Sequence, residues 1–108
     1  MQAKRGEVWQ IDLGLAQKTR PCVILSVAFL DNERAMVSCV PHTRSVRGTR
    51  FEAVFPVRGL EDGAFDAQGI GSISVVKLLQ RKAILTDEQL HQVEERVKAW
   101  LALDKTVG

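Results

Sequence analysis

Cysteine and histidine are scarce in this chain, two of each in 108 residues, and hydrophobic runs stay short. Each shortage removes a class of protein. Two thiols in a chain of this length do not make a disulfide scaffold, and a reducing compartment would keep both free. Cys22 and Cys39 each lie inside an apolar run and read as small core residues. His42 and His91 are too far apart to supply metal-ligand spacing, so any chemistry is expected to run without a metal or other cofactor. No stretch approaches the roughly 18 apolar residues of a membrane helix. The opening Met1-Gln2-Ala3-Lys4-Arg5-Gly6-Glu7 carries charge with no apolar segment behind it, unlike a secretory signal. The expectation is a cytoplasmic protein without a membrane anchor. Repeats, linkers and low-complexity segments are also missing, so one domain over 1–108 is expected.

Net charge is small, at +2, and its distribution says more than its size. Between Pro41 and Thr49 there are two arginines, a histidine and no acid, and Arg50 follows directly. Acids cluster elsewhere, in Glu61-Asp62, Asp66 and the C-terminal segment. A basic loop on a near-neutral domain points to a polyanionic ligand.

Periodicity predicts a small β-rich domain. Glu7 to Leu13 alternates and reads as a strand. Pro21 to Val27 is almost continuously apolar, as in a central strand covered on both faces. Arg34 to Val40 predicts a third strand, stopped by Pro41, which cannot donate to a ladder. Arg50 to Val57 alternates again, Arg58 to Asp66 reads as an irregular loop, and Ile70 to Leu79 predicts a fifth strand. The period then changes. Thr86 and Gln89 have capping-box spacing, Leu85 and Leu90 have staple spacing, and Leu90, Val93, Val97 and Trp100 follow a helical face. The tail from Asp104 to Gly108 is expected to fray. Five short strands and one C-terminal helix suggest a small, barrel-like antiparallel sheet.

Arg20 begins one strand and Thr43 follows the end of the next. An arginine is always cationic and can grip a phosphate through two N–H groups, while a threonine hydroxyl can donate to a non-bridging oxygen. Taken alone, an arginine just before a strand is usually a solvated flank and a threonine after a proline is usually a turn residue.

The ordered set of motifs resembles the MazF/PemK toxins of type II toxin–antitoxin systems. Arg5-Gly6-Glu7-Val8-Trp9 with Asp12-Leu13 is similar to that family's opening strand. Lys18-Thr19-Arg20-Pro21 resembles its arginine–proline motif, and Pro41-His42-Thr43-Arg44-Ser45 its proline–x–threonine motif. Phe51-Glu52, Leu78-Leu79-Gln80-Arg81 and the final helix fall in the expected order. The resemblance implies an SH3-like antiparallel β-barrel with a C-terminal α-helix that forms homodimers. It further implies sequence-specific, metal-independent cleavage of single-stranded RNA to 2′,3′-cyclic phosphate and 5′-hydroxyl ends. The implied catalytic residues are Arg20 and Thr43, with RNA contacts from Lys18, Thr19, Arg44, Ser45, Arg47 and Arg50. A cognate antitoxin with an acidic segment is the implied protein partner. Arg44, Arg47 and Arg50 would form a mobile basic flap for RNA phosphates or for that segment.

Two departures stand out. The loop Gly14-Leu15-Ala16-Gln17 is short and lacks an acid found in some members, and Val75 stands where many carry glutamine. His42 is a general-base candidate because a histidine titrates near working pH, but if strand alternation persists it points away from Thr43 and reads as a surface or dimer-contact residue. His91 reads as solvent-facing. Trp9 and Trp100 read as core or dimer contacts, and Phe51 and Phe65 as either stacking platforms or apolar anchors. Two rivals share the fold expectation: a non-catalytic module like the gyrase-binding CcdB toxins, and an inactive relative that only binds an antitoxin.

Overall fold

The computed structural model describes residues 3–14 and 18–103. Residues 15–17 of the short loop and the tail from 104 lie outside the described residues, as do residues 1 and 2. The strands are β1 (Glu7–Asp12), β2 (Thr19–Ile24), β3 (Met36–Thr43), β4 (Glu52–Val54), β5 (Ala64–Asp66), β6 (Gly71–Ser74) and β7 (Leu78–Ile84), followed by α1 (Asp87–Leu101). All pairings are antiparallel. The order is β4-β5-β3-β2-β1-β7, with β6 also paired to β3. The barrel-like sheet is open, since β4 and β7 do not pair. No helix among the described residues is long and apolar enough to cross a membrane.

Strand alternation sends side chains to two cores. Val8, Val23 and Val40 point to one face, against Phe51, Phe65, Leu85, Val93 and Val97. Ile11, Cys22, Ile24, Val37 and Cys39 point to the other, with Ala3. The apolar run of β2 thus has cover on both faces, the arrangement that run predicts. Each fully buried valine, isoleucine or phenylalanine contributes about 1.5–3 kcal/mol of transfer free energy, so these central strands are the stable part of the fold. Both thiols are buried and lie 2.9 Å apart. The hydrogen bond that Cys22 donates to Cys39, with burial behind it, pushes the Cys22 thiol upward in pKa, which keeps it protonated.

The helix begins where its capping residues predict. Thr86 Oγ1 accepts the Gln89 N–H at 3.1 Å, and Gln89 Oε1 accepts the Thr86 N–H at 2.9 Å. Leu85 is buried and Leu90 packs on the same core, completing the staple. The Leu85 N–H also donates to the Gly6 carbonyl, and the Gly6 N–H to Ile24, which ties the helix entry to β1 and β2. Trp100 meets Phe51 edge-on at 5.1 Å between centroids. Phe51 and Phe65 are therefore apolar anchors, both buried.

Four strand expectations need correction. β3 does not stop at Pro41 but runs to Thr43. Pro41 falls between the last β6 pair, Cys39–Gly71, and the first β5 pair, His42–Phe65, where no ladder needs its N–H. Ala64–Asp66, inside the expected loop, pairs with both β3 and β4. The expected strand over 70–79 ends at Ser74 in a 3₁₀ turn, and a further strand, β7, runs on to Ile84. The 50–57 segment contributes only Glu52–Val54 as strand.

Candidate active site

β2 and β3 run side by side with Cys22 paired to Pro41. The pairing ends there, and two residues beyond it, toward the start of β2 and the end of β3, come Arg20 and Thr43. Both line one cleft of about 490 Å³, together with Gln10, Thr19, Pro21, His42, Arg44, Ser45, Gly59, Leu60, Glu61 and Lys82. Strands supply the walls at Gln10 (β1), Thr19 to Pro21 (β2), His42 and Thr43 (β3) and Lys82 (β7), and loops close the rim.

The hydroxyl of Thr43 is fixed by its own turn, its Oγ1 accepting the Ser45 N–H at 3.0 Å. That leaves the hydroxyl proton free to be donated. Thr19 Oγ1 accepts from Gln10 Nε2 at 2.6 Å, which fixes the side chain beside Arg20. Arg20 is exposed and has no carboxylate partner among the described residues. An unneutralised guanidinium beside a free hydroxyl donor is an anion site with the two groups a phosphate needs.

Arg44 differs from Arg20. Its Nη1 meets Glu61 Oε2 at 2.6 Å, an exposed pair that brings an acid into a site where the sequence suggested none. Glu61 is 18 positions after Thr43, and nothing in its local pattern distinguishes it from a solvated loop acid.

Three expected RNA contacts lie elsewhere. Lys18 is exposed but does not line the cleft, and neither do Arg47 and Arg50. The Arg50 guanidinium sits 4.6 Å from the Phe51 ring centroid, on the side of α1, and Arg96 donates to its carbonyl. The loop from 44 to 50 is pinned rather than a free flap. Buried Glu52 accepts the Arg47 N–H at 3.0 Å and the Thr49 N–H at 2.9 Å, around Gly48 at φ +75°. The Arg47 N–H, with those of Thr49 and Gly48, outweighs burial and holds the Glu52 carboxyl below its usual pKa.

His42 is neither a surface residue nor available at an outer face. It is buried, its ring edge-on to Phe65 at 4.9 Å, yet it lines the cleft. Its ring nitrogens have no hydrogen-bond partner among the described residues, and neither is shut off from solvent. Burial lowers its pKa, so it is neutral at neutral pH. His91 is exposed on α1, as expected, beside Glu94. Val75 packs on the second core and away from the cleft. Among the described residues no three His, Cys, Asp or Glu side chains gather to hold a metal ion.

The fold has counterparts among solved structures. A mycobacterial endoribonuclease solved with its cognate antitoxin superposes with a TM-score of 0.83 at 20% identity, covering 96% of this chain and 99% of that one. The toxin MazF-mt6 of Mycobacterium tuberculosis gives 0.77 at 24% identity, covering 92% and 99%. A MazE–MazF structure from Deinococcus radiodurans gives 0.77 at 19%, covering 92% and 94%. At these identities the likeness establishes the fold. No curated protein sequence matches the chain significantly. The model of the PemK-like, MazF-like toxins of type II toxin–antitoxin systems does match, over residues 4–101, a span that holds both strands of the cleft and the closing helix. With arginine–proline and proline–x–threonine motifs meeting at one cleft inside that span, the chain belongs to the PemK/MazF family of type II toxins.

Proposed function

We propose that this toxin is an endoribonuclease that cuts single-stranded RNA without a metal ion, leaving 2′,3′-cyclic phosphate and 5′-hydroxyl ends. The observation that carries the reading is the convergence of Arg20 and Thr43 on one cleft from neighbouring strands. In the reaction the 2′-oxygen attacks the adjacent phosphorus, the P–O5′ bond breaks, and negative charge builds on the non-bridging oxygens between those events. Arg20 faces that charge with a fixed cation, and Thr43 donates its hydroxyl proton to one of the oxygens. Donors of this kind, held in place beforehand, contribute about 2.7–4 kcal/mol each to lowering a barrier. Arginine is a poor proton acceptor because its pKa lies far above neutrality, so its part here is electrostatic. Thr19, Ser45 and Arg44 line the same cleft and bind the sugar–phosphate backbone on either side of the cut.

A cognate antitoxin with an acidic segment fits the same reading, because carboxylates would compete with phosphates for Arg20 and Arg44. The solved relatives include a toxin bound to its antitoxin. A homodimer acting in the cytoplasm completes the proposal. The test is to map the ends of RNA cut by the purified protein in EDTA. Defined cuts with cyclic phosphate ends, lost in Arg20→Ala, support the reading. Intact RNA together with inhibition of gyrase supercoiling would instead support a binding module.

A further inference from the structure

The cleft holds a group that phosphate binding leaves unused. His42 has its ring clamped by Phe65 and by the backbone at Gly63, where an added Cβ would crowd the ring. Clamped rings are usually anchored through a nitrogen as well, since a buried polar atom without a partner costs about 1–3 kcal/mol. Here neither nitrogen has a partner among the described residues, neither is fully shut off from solvent, and the residue lines the cleft. The residue is next to Thr43 in sequence and shares the cleft with Arg20. A fixed aromatic ring with free nitrogens beside an anion site is placed to meet a ligand.

We propose that His42 is a catalytic residue, the acceptor of the 2′-hydroxyl proton, an inference that rests on the endoribonuclease reading. The neutral imidazole takes the proton from the 2′-hydroxyl as the O2′–P bond forms. The P–O5′ bond breaks, and the leaving oxygen takes a proton from water. The hydroxide so formed removes the proton from the imidazolium, and the balance closes with no added reagent. The charged groups facing the cleft around it are Arg20 of β2, Lys82 of β7, and Arg44 and Glu61 of the rim. Phe65, packed on the ring from β5, does not titrate. Burial lowers the pKa of the ring and so favours its neutral form. A base kept neutral is ready at neutral pH, and the short chain segment lacking an acid at 14–17 leaves the role open.

The test uses full-length protein, a defined RNA cut by the wild type in EDTA, and the same RNA with a 2′-deoxy position at the cut. His42→Gln and His42→Ala should lose about 10²–10⁴-fold in kcat, the usual contribution of a positioned base. Both should bind the uncleavable strand as tightly as wild type, and free imidazole should restore part of the rate of His42→Ala. A folded variant that cuts at the wild-type rate overturns the proposal. So does one that loses affinity and kcat in parallel, the pattern of a merely structural ring. If neither variant folds, the wild-type pH profile decides. The rate should fall with acid at a pH below the ordinary histidine value of about 6.5, and a rate that does not fall at any acid pH where the protein stays folded overturns the proposal. Wild-type protein that cuts no RNA at all would remove the parent reading first, and this inference with it.

Discussion

Arg20 on β2 and Thr43 on β3 stand two residues beyond the Cys22–Pro41 pair that ends the ladder between them, and both line one cleft. Their placement by paired strands rather than by loops fixes the spacing of cation and hydroxyl. Thr43→Val should slow cleavage by about 10²–10³-fold, as loss of one preorganised donor does. Arg20→Ala should abolish cleavage while leaving the melting temperature close to wild type, because the side chain is exposed. Arg20→Lys keeps the charge but not the two-pronged geometry, and should recover only part of the rate. Single-turnover kinetics on a defined RNA measures all three.

The Arg44–Glu61 pair is exposed and worth at most about 1 kcal/mol. Glu61→Gln should therefore leave stability unchanged and free Arg44 for phosphate, tightening RNA binding by up to about fivefold at low salt. Arg44→Ala should weaken binding and make its salt dependence shallower by about 0.7 in the log–log slope, one single-strand phosphate contact. Arg50→Ala, with its guanidinium on Phe51, should leave that slope alone. Filter-binding titrations across salt concentrations distinguish the three variants.

Glu52 makes the loop fold depend on pH. Its carboxyl pKa is lowered in the folded state, chiefly by the Arg47 N–H. The stabilisation is thus present above the unfolded carboxylate value of about 4.3 and disappears as pH falls through the lower folded value. Glu52→Ala should cost about 2–4 kcal/mol by leaving backbone N–H groups without an acceptor. It should also flatten the acid side of the stability curve, measured by thermal melts between neutral and acid pH.

Gly63 has no room for a side chain. An added Cβ would overlap the Thr43 carbonyl oxygen and press on the His42 ring. Gly63→Ala should destabilise the protein by about 1–3 kcal/mol, as overpacking does. Cleavage should fall further than stability, since the displaced residues are those at the reacting phosphate. Comparing melting temperature with kcat separates the two effects.

Some of this was legible from the chain and some was not, for identifiable reasons. α1 was plain because Thr86, Gln89, Leu85 and Leu90 act on their immediate neighbours, so local spacing carries the whole message. β2 was plain because burial on both faces demands an unbroken apolar run. β7 was not. Two register shifts against β1, one passing over Lys82, break its alternation, and most of its residues are exposed. β5 is three residues long and owes its existence to partners on both sides. Arg20 and Thr43 were readable as a pair because their motifs end paired strands. His42 was misread because alternation describes a strand's two faces, whereas the cleft opens at the strand's end, where a ring turned toward Phe65 still reaches it. Glu61 and Lys82 arrive through tertiary packing alone.

Thr43 terminates a strand that bonds to β2, β6 and β5 in turn, three partner strands where no other strand has more than two. Val37 to Val40, held by β2 or β6 and buried apart from Ser38, should have amide protons that exchange with deuterium among the slowest in the molecule. The strand that carries Thr43 is thus the last part of the fold to loosen, and proteases reach it only after its neighbours have come away.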